Sequence, residues 1–174
     1  MTEYKVMLIG GVNVGKTAVV LQFVQQYFAE NYDGYNDNSY RKQLILDEEY
    51  TLLDILDLSG DMDFIWVHDS CYRTNKGFIM VYSITSRKSF DKLSSLYEHL
   101  LIVKDRDILP MVLIGNKCDL EIERQVSIDE GEELAKVFNC SFFETSAKDN
   151  INIEHVFHNL IRSVRMEPQA ILNK

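Results

Sequence analysis

Proline is almost missing: the 174 residues hold 2. With only 8 glycines beside them, no low-complexity linker or collagen-like stretch can form. Cysteine is equally scarce. Cys71, Cys118 and Cys140 stand far apart, with no C-x-x-C pair among them, so the expectation is three free thiols in a reducing compartment. Positive charge is also short. There are 18 Lys and Arg against 27 Asp and Glu, a net charge of −9 that leaves nothing to neutralise a run of phosphates and excludes a nucleic-acid partner. No apolar run approaches the ~20 residues that cross a bilayer. Met1-Thr2-Glu3-Tyr4-Lys5 does not open a signal peptide. Ile171-Leu172-Asn173-Lys174 carries no cysteine for a prenyl group, so membrane attachment is expected only through a lipidated tail not present in this chain.

What is there is a 46% hydrophobic chain, long enough to bury a real core, read as one domain over residues 1–174. Short apolar runs alternate with amphipathic stretches. Val6-Met7-Leu8-Ile9 reads as a buried strand entering a glycine loop, and Lys16 to Gln26 as the helix after it. A polar loop, Asn31 to Ser39, has no apolar rhythm. Arg41 to Leu46 and Glu49 to Leu56 read as a hairpin turned by Asp47-Glu48. Gly77 to Tyr82, Met111 to Ile114 and Ser141 to Phe143 read as further strands. Phe90 to Leu101 reads as one helix with a single apolar face, and Ile153 to Val164 as a closing amphipathic helix. Ser127 and Glu130 have the spacing of a capping box. This alternation predicts an α/β fold with a mostly parallel sheet, helices on both faces and one antiparallel edge strand. Ligands of such sheets bind beyond the carboxyl ends of the strands, and the motifs fall in those loops.

Gly10-Gly11-Val12-Asn13-Val14-Gly15-Lys16-Thr17 matches G-x-x-x-x-G-K-[ST] between a strand and a helix. Glycines let the backbone N–H groups curl around phosphate oxygens, and the helix N-terminus adds positive potential. Lys16 would neutralise the β- and γ-phosphates, and the Thr17 hydroxyl would ligate Mg²⁺, which prefers oxygen donors. Asn116-Lys117-Cys118-Asp119 follows a strand. A carboxylate only accepts, so Asp119 suits the ring N–H and exocyclic amino group of guanine, whereas adenine would leave it unpaired. Asn116 can tie this loop to the phosphate loop, while the Lys117 stem and Phe28 can cover the base. Backbone N–H groups of Ser146-Ala147-Lys148 could donate to the guanine carbonyl. His155 and His158 share a helix, but no third ligand accompanies them.

These motifs resemble the Ras family of small GTPases, as do Met1–Val6, Ser39–Gln43, Leu53–Asp57, Asn116–Leu120 and Glu144–Lys148, over nearly the whole chain to about Arg165. The resemblance implies a P-loop NTPase with a six-stranded sheet, five helices, and a switch governed by GTP, GDP and Mg²⁺. It implies nucleotide-binding roles for Gly11, Val12, Asn13, Val14, Gly15, Lys16, Thr17 and Ala18. The same holds for Phe28, Asn116, Lys117, Asp119, Leu120, Ser146, Ala147 and Lys148. Thr17 would hold the metal directly and Asp57 through a water. Exchange factors and effectors would be the partners, and the cytoplasmic side of the cell the location, at the inner face of the plasma membrane if a lipidated tail exists.

The departures fall on hydrolysis. Asp57-Leu58-Ser59-Gly60 keeps D-x-x-G, with the Gly60 N–H free to meet the γ-phosphate. Asp61 replaces the glutamine that orients water; it is shorter, negative and without an N–H donor. Val12 replaces the glycine nearest the γ-phosphate, where its branches would crowd both water and an activating protein's arginine. Tyr35 replaces the metal-binding threonine, and Gly34 a proline, so that loop is expected to stay mobile with GTP bound. Slow hydrolysis and a weak response to an activating protein are expected. Asn38 lacks the charge of the family's acidic effector contacts. Phe64-Ile65-Trp66-Val67 is either a partner surface or a packed segment. The alternative function is a nucleotide-stabilised binding module signalling through that segment. A P-loop metabolic kinase would leave the guanine motifs without a purpose.

Overall fold

The computed structural model describes residues 1–30, 38–58 and 69–167. Along the chain run β1 (Thr2–Gly10), α1 (Lys16–Gln25), β2 (Asn38–Leu46), β3 (Glu49–Asp57), α2 (Asp69–Thr74), β4 (Gly77–Ser83), α3 (Arg87–Asp91), α4 (Leu93–Lys104), β5 (Met111–Asn116), α5 (Ile128–Val137), β6 (Ser141–Glu144) and α6 (Ile153–Met166). The strands form one six-stranded sheet in the order β2-β3-β1-β4-β5-β6. All neighbours are parallel except β2 and β3, paired antiparallel from Asn38↔Asp57 to Leu46↔Glu49. This is the α/β P-loop architecture with one antiparallel edge. Among the described residues no helix is long and apolar enough to cross a membrane.

The central strands read as unbroken apolar runs because both faces are covered. Val6 and Leu8 of β1, with Ile79 and Val81 of β4, point into a core shared with Val19, Val20 and Phe23 of α1 and Phe157 and Leu160 of α6. Met7, Ile9, Phe78, Met80 and Tyr82 point the other way, toward Leu93, Leu96 and Leu100 of α4 and Phe138. On the first side Phe23 and Phe157 stack with ring centroids 3.9 Å apart. Asp47 and Glu48 both have positive φ (52° and 66°), the two-residue turn whose twist suits a hairpin. Arg162 of α6 grips Asp47 with two N–H groups at 2.7 and 3.0 Å.

Two expectations need correction. The stretch read as one helix from Phe90 to Leu101 is two: α3 ends at Asp91 and α4 starts at Leu93, so the described residues hold six α-helical segments where five were expected. The apolar rhythm runs through the break, which falls at Lys92, whose N–H turns to the Phe90 carbonyl; at the other end Ser86 caps α3, its side chain accepting from the Ser89 N–H. The first helix ends at Gln25. Gln26 is a left-handed cap whose N–H donates to the Gln22 carbonyl at 3.0 Å. The capping box at Ser127 and Glu130 is present.

The hydroxyl of Tyr82 lies fully inside the second core and meets no hydrogen-bond partner among the described residues. An orphaned buried hydroxyl costs its desolvation, and burial pushes its pKa up. Tyr82→Phe should therefore be neutral or stabilising, by up to ~1 kcal/mol, in urea unfolding monitored by circular dichroism. A loss of more than ~1 kcal/mol would mean that the hydroxyl is bonded.

Candidate functional site

The site lies at the carboxyl ends of β1, β3, β5 and β6. After β1 the chain curls through residues 11–15 into α1. A Cβ on Gly10 would sit 2.2 Å from the Val81 carbonyl oxygen, and one on Gly15 (φ +94°) 2.4 Å from Asn116 Nδ2, so both positions admit only glycine. Asn13 is left-handed (φ 61°). Val14 is buried and anchors the loop, while Val12 is 49% exposed at its outer edge. The first turn of α1 has no acidic residue and no side-chain cap, so its amides and positive potential remain for an anion.

Lys16 is buried, with Nζ donating to the Gly11 carbonyl at 2.8 Å and the Gly10 carbonyl at 3.2 Å. Burial pulls its pKa from the ordinary 10.5 down to about 8, opposed by the negative charge of Asp57. Thr17 Oγ1 donates to Asp57 Oδ2 at 2.5 Å, and Asp57 is 1% exposed. A hydroxyl and a carboxylate thus meet where α1 begins and β3 ends. This hard-oxygen donor set fits Mg²⁺.

The second half follows β5. Asn116 Nδ2 donates to the Val14 carbonyl at 3.0 Å, and its Oδ1 accepts from Thr145 Oγ1 at 3.0 Å. Lys117 is left-handed (φ 66°), which turns its ammonium back onto the Asn13 carbonyl at 2.6 Å. Burial lowers its pKa, with Asp119 opposing. Ser146 Oγ donates to Asp119 Oδ1 at 2.7 Å and accepts from the Asp149 N–H at 3.0 Å. Between these loops lies a cavity of about 330 Å³. Phe28, Ala18 and Gly15 form one side; Asn116, Lys117, Asp119 and Leu120 another; Ala147 and Lys148 close it.

The structure therefore brings together the residues read from the sequence in the phosphate and base loops. Ser146 stands behind Asp119 rather than on the cavity wall. Tyr35, Gly34, Ser59, Gly60, Asp61 and Phe64 to Val67 lie outside the described residues. Three contributors went unread. Glu30 lines the cavity. Gln22 of α1, a polar residue on the buried side of a helix, donates to the Ala147 carbonyl at 2.7 Å. Thr145 locks Asn116 in place. The buried polar side of α1 was the one available signal, at Gln22.

The model of the Ras family matches residues 5–166. The chain belongs to the Ras family. Ras-family proteins are small GTPases. They bind guanine nucleotide with Mg²⁺, act as nucleotide-dependent switches, and work with exchange factors and effectors. This Ras-family chain has the donors such a ligand needs: a cationic, amide-lined phosphate cradle, an oxygen pair for the metal, and an acceptor-only carboxylate in a purine-sized cavity.

Lys16 gives a proton-linked test. Between about 8 and 10.5 the ligand-free folded chain binds fewer protons at Lys16 than the unfolded chain, so this group makes stability rise with pH across that window. A bound polyphosphate favours the ammonium and returns its pKa toward 10.5. Nucleotide diphosphate binding at about pH 9, where the ligand-free Lys16 is largely uncharged, should take up a large fraction of one proton. Titration calorimetry in two buffers of different ionisation enthalpy measures it. Lys16→Gln should abolish the uptake, and uptake unchanged in that variant would assign it to another group.

Proposed function

We propose that this chain is a Ras-type switch that holds GTP or GDP with Mg²⁺ and hydrolyses GTP slowly. The observation carrying the nucleotide reading is the direct linkage of the two half-sites. Asn116 and Lys117, from the base loop, each bond a carbonyl of the phosphate loop, at Val14 and Asn13. A phosphate cradle and an Asp119 pocket fixed to each other match a ligand that has both a purine and a phosphate chain.

In this reading the α1 amides and Lys16 hold the phosphates, Thr17 grips the metal, and Asp57 does so through a water. The Mg²⁺ would neutralise charge on the phosphate oxygens. Asp119 accepts from the guanine ring N–H and amino group, and Ser146 orients it. The Ala147 amide donates to the guanine carbonyl, with Gln22 holding that peptide from behind. Phe28 and the Lys117 stem cover the ring faces. Adenine would desolvate Asp119 without repaying it with hydrogen bonds, which supports selection of guanine.

Slow hydrolysis rests on residue chemistry. Val12 projects from the outer edge of the cradle, where attacking water and a partner's arginine must approach. Asp61 brings negative charge and no N–H donor to a polyanion, and an ordinary aspartate is a weak base. Tyr35 cannot place its hydroxyl where a threonine would. A weak response to an activating protein follows from the same crowding. Exchange factors and effectors remain the proposed partners. The free thiols Cys71, Cys118 and Cys140 suit the cytoplasmic side of the cell, and membrane contact is proposed only through a lipidated tail.

Two measurements test this. Calorimetry with Mg²⁺ should find GDP preferred over ADP by at least about a hundredfold, and equal affinity would remove the guanine reading. Single-turnover hydrolysis should accelerate at least about tenfold when Val12→Gly and Asp61→Gln are combined. An unchanged rate would show that neither residue limits the step.

A further inference from the structure

Arg124 has no part in the site so far, yet its guanidinium is among the most fully engaged groups near it. It follows the short 3₁₀ turn Glu121–Glu123 that leaves the base loop. Nη1 and Nη2 donate to Glu144 Oε1 and Oε2 at 2.6 and 2.8 Å, a fork on a fork. Nε and Nη2 also donate to the Glu121 carboxylate, and Nη1 to the Val126 carbonyl at 2.9 Å. The Arg124 and Glu144 side chains are 16% and 15% exposed, against 67% for Glu121. The backbone around Arg124 is fixed as well. Gln125 and Val126 both donate to the Ile84 carbonyl, at 2.8 and 3.1 Å, and the Arg87 guanidinium holds the Gln125 carbonyl at 2.7 Å. Arg124 thus reaches from an anchored loop to the last residue of β6. Two residues beyond Glu144 lies Ser146, which holds Asp119, and then Ala147, which lines the cavity.

We propose that Arg124 is a positioning residue for base selection. Its bidentate bridge to Glu144 sets the spacing between the loop bearing Asp119 and the loop bearing Ser146 and Ala147, so that both edges of the base are read at once. The proposal rests on the guanine reading above. A planar fork on a carboxylate fixes distance and plane together, which a single hydrogen bond does not. Without Arg124, Glu144 is a nearly buried carboxylate with no cation, and hydrating it requires the β6 loop to move. That movement would be felt at the base. The backbone bonds of Thr145 to Gly115 and Cys118 make it the pivot between Glu144 and Ser146, while Lys16 is held by the Gly10 and Gly11 carbonyls, so the phosphate cradle stays in place.

Guanine and hypoxanthine nucleotides differ by the exocyclic amino group that Asp119 reads, so the ratio of GDP to IDP affinity reports the register of the base alone. Affinities for GDP, IDP, ADP and pyrophosphate are measured on the unaltered chain, Arg124→Ala, Arg124→Lys, Glu144→Gln and the swap of Arg124→Glu with Glu144→Arg. Arg124→Ala should cut the GDP-to-IDP preference about fivefold or more, with pyrophosphate affinity unchanged. Arg124→Lys should be intermediate, and the swap should recover most of the preference. Equal weakening of GDP and IDP, or a parallel loss of pyrophosphate affinity, would make Arg124 a fold-stabilising residue only and overturn the proposal. An unaltered ratio would overturn it too. If Arg124→Ala does not fold, Arg124→Lys and Glu144→Gln supply the same ratio. Absence of any GDP preference over ADP in the unaltered chain is a different failure, which removes the guanine reading and the clamp with it.

Discussion

Asn116 closes β5 with its amide nitrogen on the Val14 carbonyl and its amide oxygen under the Thr145 hydroxyl. Through that one buried side chain, the loops after β1, β5 and β6 share a common origin. Gly15 has to be glycine because Asn116 occupies the space a side chain would need. Lys117 on Asn13 and Ser146 on Asp119 add further ties beside that junction. Parallel strands make this possible: they deliver three loops to one edge of the sheet, and a short amide can then span them.

The electrostatics are local rather than global. A chain of net charge −9 is a poor general host for a polyanion. The site overcomes this with the N-terminus of α1, free of first-turn acids, with Lys16 held out of water, and with Lys117 and Lys148 at the cavity. Lys16 illustrates the balance. Burial works against its charge, so in the ligand-free chain it leans on two carbonyl oxygens, while phosphate would satisfy it fully.

Much of this was legible in the sequence, for identifiable reasons. The central strands were readable because residues of both parities are apolar when both sheet faces are covered, as Val6 to Ile9 and Phe78 to Tyr82 show. The phosphate and base loops were readable because their chemistry demands particular residues at short spacing. The split at Lys92 was not, since the apolar period runs straight through it and the break is a backbone event at Lys92, whose N–H turns to the Phe90 carbonyl. Nor were Gln22, Thr145 and Arg124, whose roles depend on partners distant in the chain. Gln22 meets Ala147 across 125 residues: its place on the buried side of α1 is a local sign, but nothing local names its partner.

The tight packing of Gly10 against Val81 and of Gly15 against Asn116 has a consequence for how this frame can vary. A Cβ at Gly10 would push on the backbone of β4, and one at Gly15 would displace the amide that ties the base loop to the phosphate loop. Neither position can therefore drift in sequence without loosening the joint, whereas Val12, half out in solvent, is free of that veto. Variation at this pole is channelled outward, to the residues that no neighbour constrains.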